Sequence, residues 1–178
     1  EKALELLKSK KNRILLVQKE KIDNRPLFKT LLNGVIEQEK DTKTEVKEDL
    51  KVVTEKEPNN AEMKALLFAN KVVKHTKSNV IVLANETQLL ASGVGQTSRV
   101  DAANQAVEKA KKFGMNLEGA VMASDAFFPF PDCVEVAAQA GITSIVQPGG
   151  SIKDKDSIDA CNAKGLSMVF TGIRHFKH

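Results

Sequence analysis

The chain has 178 residues, 42% of them apolar, and its 27 Lys and Arg against 23 Asp and Glu give a formal charge of +4. That is enough chain for one well-buried core with an arm, and no run of about 18 apolar residues offers a membrane span. Every aromatic residue is Phe and the lysines are interspersed with acids, so a nucleic-acid groove with stacking rings is not supported. Cys133 and Cys161 have no CxxC partner, so buried, reduced thiols in a reducing cytoplasm are expected, not a zinc site. No signal peptide is visible at the charged N-terminus.

Residues 1–11 form an amphipathic helical pattern that starts without Met and reads as a continuation of something longer. An apolar run over 13–17 predicts a strand, Asp23-Asn24-Arg25-Pro26 a turn, and 28–38 a second strand pattern. Residues 37–57 are almost wholly charged, which suits a linker. The expected division is therefore an arm over residues 1–58, continuing from a missing upstream part, and a C-terminal unit over 59–178.

Regularity begins at Pro58. Asn59 with Glu62 makes a capping box for a helix reaching Thr76, whose apolar stripe runs from Met63 to Val73. Strand 80–84 turns at Asn85-Glu86 into strand 88–94. Ser98 caps a helix that Gly114 stops. Strand 119–123, helix 132–140, strand 143–146, helix 154–163 and strand 166–170 then alternate. An antiparallel hairpin followed by parallel strands predicts an α/β mixed sheet with helices on both faces, the layout of the cytidine-deaminase-like fold, preceded by a small α/β arm. In such sheets ligands bind beyond the carboxyl ends of the strands. The informative loops are thus 124–131, 147–153 and 171–178.

Those loops are chemically unusual. Ser124-Asp125-Ala126-Phe127-Phe128-Pro129-Phe130 places three rings in a loop, where a flat ligand is a natural partner. Gln147-Pro148-Gly149-Gly150-Ser151 exposes backbone donors before a helix, with Ser151 as the expected cap. Asn79 offers both a donor and an acceptor to an amide. Arg99, in the first turn of a helix, opposes the macrodipole and calls for an anionic partner. The pair Lys74-His75 sits in a last helical turn, where cations suit the dipole, and is not read as a catalytic dyad. The His-x-Glu with Pro-Cys-x-x-Cys signature of zinc deaminases is missing.

Together, Lys77-Ser78-Asn79, Gly95-Gln96-Thr97-Ser98-Arg99-Val100-Asp101, the Phe-rich run, Gln147 to Ser151 and the terminal Arg174-His175-Phe176-Lys177-His178 closely resemble the C-terminal part of the AICAR transformylase/IMP cyclohydrolase family. The resemblance is strongest from Asn59 onward. It implies formyl transfer from 10-formyltetrahydrofolate, as cosubstrate, to the 5-amino group of AICAR in purine biosynthesis. It implies active sites across a homodimer interface, and leaves room for a monovalent cation. By position, Asn79, Arg99, Phe127 and Arg174 look like AICAR contacts: carboxamide reader, adjacent positive charge, ring site and phosphate partner. Val100, Asp132, Ser151 and Ile152 look like folate contacts. Pro131 and Cys133 depart from the family pattern, and its Lys-His-x-Asn-Pro acid–base motif is absent, so the isolated chain is expected to be nearly inactive. The alternative is a non-catalytic module of the same fold that binds nucleotide or folate.

Overall fold

The computed structural model describes residues 2–20 and 26–177. It divides into two compact units between Thr42 and Lys43. The first holds helix α1 (Lys2–Lys8) and the antiparallel strands β1 (Leu27–Leu31) and β2 (Gly34–Gln38). The apolar run at 13–17 is not a strand but irregular and exposed chain; no strand among the described residues pairs with it. The pattern over 28–38 is a hairpin, not one strand. Leu32 and Asn33 form its two-residue turn ahead of Gly34. Asp23, Asn24 and Arg25 of the expected turn lie outside the described residues.

The second unit is built on a six-stranded sheet in the order β3-β8-β7-β6-β4-β5. Its strands are β3 (Lys51–Val52), β4 (Ile81–Ala84), β5 (Leu89–Gly93), β6 (Val121–Ser124), β7 (Ser144–Gln147) and β8 (Ser167–Phe170). Successive residues of a strand face opposite ways, and the two cores show it. Ile81, Leu83, Met122, Ile145 and Met168 belong to one cluster with helices α3 (Arg99–Lys112), α4 (Asp132–Gln139) and α5 (Asp154–Lys164). Val82, Ala84, Val121, Ala123, Val146 and Val169 belong to the other, against helix α2 (Asn60–Lys74). Helices therefore cover both faces, and the expected α/β mixed sheet is what forms.

Local chemistry sets the ends of these elements. Asn59 accepts from the Ala61 and Glu62 amides while Glu62 returns a bond to the Asn59 amide. Ser98 Oγ accepts from the Asp101 amide at the start of α3. Gly93 lets α3 lie close on β5, because a Cβ there would stand 1.9 Å from the Ala102 carbonyl oxygen. Cys133 and Cys161 are buried and free, as expected. Burial pushes both thiols up, that of Cys161 to about 12. Among the described residues, no helix is long and apolar enough to cross a membrane.

Residues 43–58, expected in the charged arm, belong instead to the second unit. Two interactions invisible to composition hold them there. β3 pairs with β8, and Glu45 is buried beside Asn70 and His175.

Strand direction decides where the loops meet. β4 runs antiparallel to both β5 and β6, while β6, β7 and β8 are mutually parallel. Strands β5 to β8 apart from β4 therefore point one way. Their carboxyl ends and the start of β4 share one edge of the sheet.

Candidate functional site

All eight residues singled out above lie at that edge. Asn79 precedes β4, Arg99 and Val100 follow β5, and Phe127 and Asp132 follow β6. Ser151 and Ile152 follow β7, and Arg174 follows β8. The edge thus collects five loops that are far apart in sequence.

Its floor is a buried ionic cluster. Arg99 is only 8% exposed, and its guanidinium forms an ion pair with the fully buried Asp125 carboxylate. The same nitrogen donates to Ser124 Oγ at 3.0 Å, and Nη2 donates to Asn79 Oδ1 at 3.1 Å. Asn79 Nδ2 donates in turn to the Gln96 and Thr97 carbonyls. The Asn79 side chain is therefore locked, with its oxygen toward the guanidinium. Arg99 was expected to supply net positive charge; beside Asp125 that charge is largely matched. Its remaining role is directional: it polarises and orients the Asn79 amide. The Ser78–Asn79 peptide is cis.

Above the floor, the Arg174 guanidinium stacks 4.7 Å from the centroid of the half-buried Phe127 ring. Arg174 is itself exposed, with its charge available to an anion. Gln147, fully buried, ties two loops together: its Oε1 accepts from the Phe128 amide at 3.3 Å and the Gly149 amide at 3.1 Å.

The second group of residues forms a looser rim. Val100 packs on the core beneath the first turn of α3. Asp132 opens α4 and accepts from the Cys133 amide at 2.8 Å. Ser151 is not the cap of α5, whose N-cap is Lys153. Ser151 Oγ instead accepts from the Lys153 amide at 3.1 Å, which shapes the loop before the helix. Ile152 is 105% exposed, and the Lys153 ammonium lies 4.5 Å from the centroid of the Phe130 ring. Lys74, set aside as a catalytic residue, donates to the Lys43 carbonyl and Thr44 Oγ1.

A family model described as AICARFT/IMPCHase bienzyme matches residues 1–109. A bifunctional purine biosynthesis protein PurH of Bacteroides thetaiotaomicron is 62% identical over 99% of this chain. One of Acetivibrio thermocellus is 54% identical over 100% of it. The chain belongs to the AICARFT/IMPCHase bienzyme family. It spans about a third of the length of these relatives, 35% in both cases. Among solved structures, an apo dCMP deaminase from the cyanophage S-TIM5 matches with a TM-score of 0.45 at 19% identity, over 60% of this chain and 95% of that one.

In this family member, sequence reasoning missed three polar residues of the edge. Asp125 stood in the Phe-rich motif, but only its neighbours drew notice; an acid at the end of an apolar strand was the available signal. Gln147, a polar amide closing the buried strand β7, carried a similar signal. Glu45 had none, lying among residues charged almost throughout.

Proposed function

We propose that this chain is the C-terminal, substrate-binding part of a formyltransferase that moves the formyl group of 10-formyltetrahydrofolate onto the 5-amino group of AICAR. One observation carries the reading: five loops bring a locked amide, a stacked guanidinium over a ring, and an open apolar rim to a single sheet edge. Asn79 suits a carboxamide, Phe127 the imidazole, and Arg174 a phosphate. Asp132, with Val100 and the amides around Ser151 and Ile152, suits the polar edge of a pterin ring.

Formyl transfer forms a C–N bond, releases tetrahydrofolate and takes a proton from the attacking amine. That proton needs a base, and the chain has no Lys-His-x-Asn-Pro segment to supply it. The parent protein would provide the motif and the cyclohydrolase activity, acting as a cytoplasmic homodimer with shared active sites. Among the described residues the buried Asp125 Oδ2 has no hydrogen-bond partner, which fits a monovalent cation held against it. Such an ion would give that oxygen a partner.

Calorimetry with AICAR and with a folate analogue tests the reading. Binding of both, with AICAR weakened in Arg174→Ala, is the expected result; a chain that binds neither sinks it. Measurable formyl transfer by the chain alone would overturn its assignment as a half-site. The second reading, a module that only binds, gains support if adding protein with the missing motif restores no turnover.

A further inference from the structure

Buried polar side chains need partners in place, since each has left water. Glu45 and His175 form such a pair, 3% and 2% exposed, with Oε1 and Nε2 3.0 Å apart. They come from opposite ends of the second unit. Glu45 is held a second time, its Oε2 accepting from Asn70 Nδ2 at 2.8 Å, and Asn70 is itself buried on α2. The segment that carries Glu45 is anchored to the end of the same helix by the Lys74 ammonium. The carboxylate is therefore a fixed post mounted on α2.

His175 lies in the segment after β8, which no strand pairing among the described residues holds. Its amide donates to the Asp125 carbonyl at 3.0 Å. Two residues on, the Lys177 carbonyl accepts from the Ser78 amide and the Lys177 amide donates to Ser78 Oγ, beside Asn79. Neighbouring side chains of this segment face opposite ways: His175 is buried and Arg174 is exposed over Phe127. Seating the imidazole against Glu45 thus decides which way the guanidinium points.

We propose that the buried Glu45–His175 pair is a positioning device for Arg174, pinning the C-terminal segment so that the guanidinium faces the site. Neither residue touches ligand; both act through the segment. The inference rests on the reading of Arg174 as the phosphate partner of the nucleotide.

The test compares wild type, His175→Leu, Arg174→Ala and the double variant of this chain, using AICAR and its phosphate-free nucleoside in calorimetry. His175→Leu is expected to weaken AICAR by about tenfold and to leave the nucleoside little changed. Added to Arg174→Ala it should cause no further loss, because both remove one interaction. Amide exchange should quicken at His175 and Lys177 while β4 and β6 stay protected. Unchanged AICAR affinity, additive losses, or deprotection of the core together with the segment each overturn the proposal. If His175→Leu does not fold, Glu45→Gln is the milder variant, and the same non-additivity is required of it. Wild type that binds no AICAR sinks the functional reading instead. Exchange at residues 171–177 then judges the pair by itself, and an unaltered segment in the variants refutes it.

Discussion

The floor and the rim of the sheet edge are built on different principles. In the floor, Asn79, Arg99, Ser124 and Asp125 are hydrogen-bonded to one another and mostly buried. In the rim, Phe130, Ile152 and Lys153 stand in solvent. A buried, interlinked cluster holds its geometry before any ligand arrives, because each member that moves strands a partner. An exposed apolar rim has no such constraint and gains contacts only when something covers it. The floor suits a small ligand that must be oriented; the rim suits a larger one that brings its own apolar surface.

The largest expected effect breaks the floor. Arg99→Ala leaves Asp125 as an uncompensated buried carboxylate, and should cost about 3–5 kcal/mol in urea unfolding. An effect below about 1 kcal/mol would show that water already reaches the cluster, and the contrast with the rim would fail. Beneath the floor, the two buried thiols give a pH test. Cys161 ionises from 9.0 in an unfolded reference and only at about 12 in the fold. Their contribution is fully present below pH 9.0 and declines as pH rises toward 12. Unfolding midpoints of wild type and Cys161→Ala should therefore converge or cross over this window; parallel curves would refute it.

Between floor and rim lies Gly149, in a left-handed conformation at φ +70°, where a Cβ would meet the Phe170 ring at 2.5 Å. Gly149→Ala should lose about 1–3 kcal/mol of stability, read from the thermal midpoint. The smallest effect is at the rim itself. Ile152→Ser should change stability by less than about 0.5 kcal/mol while weakening a folate analogue in calorimetry. If it destabilises the chain as much as Gly149→Ala does, the rim is part of the fold and not a free surface.

Much of this contrast was legible in residues and their spacing. The capping box at Asn59 and Glu62, the Ser98 cap and the alternation of strand and helix after Gly119 all have local causes, and the structure keeps them. The hairpin at Leu32-Asn33 shows where pattern reading slipped. A strand pattern running through Leu31-Leu32-Asn33-Gly34-Val35 looks continuous, although the chain turns at Leu32-Asn33 and Gly34 already opens the second strand. Ser151 slipped for another reason: Gly149 and Gly150 lengthen the loop, so α5 starts two residues later than a cap at 151 would require.

From Asn59 onward the sequence by itself determined the order of elements, the two-faced strands and the set of loops, because caps, turns and periodicity act over a few residues. It also determined which residue types stand at the edge. Only the tertiary structure decided what they do there. Arg99 meets Asp125 across 26 positions and Glu45 meets His175 across 130. Such pairs leave no mark in local spacing, since the partner of a buried charge is selected by what the folded sheet brings beside it.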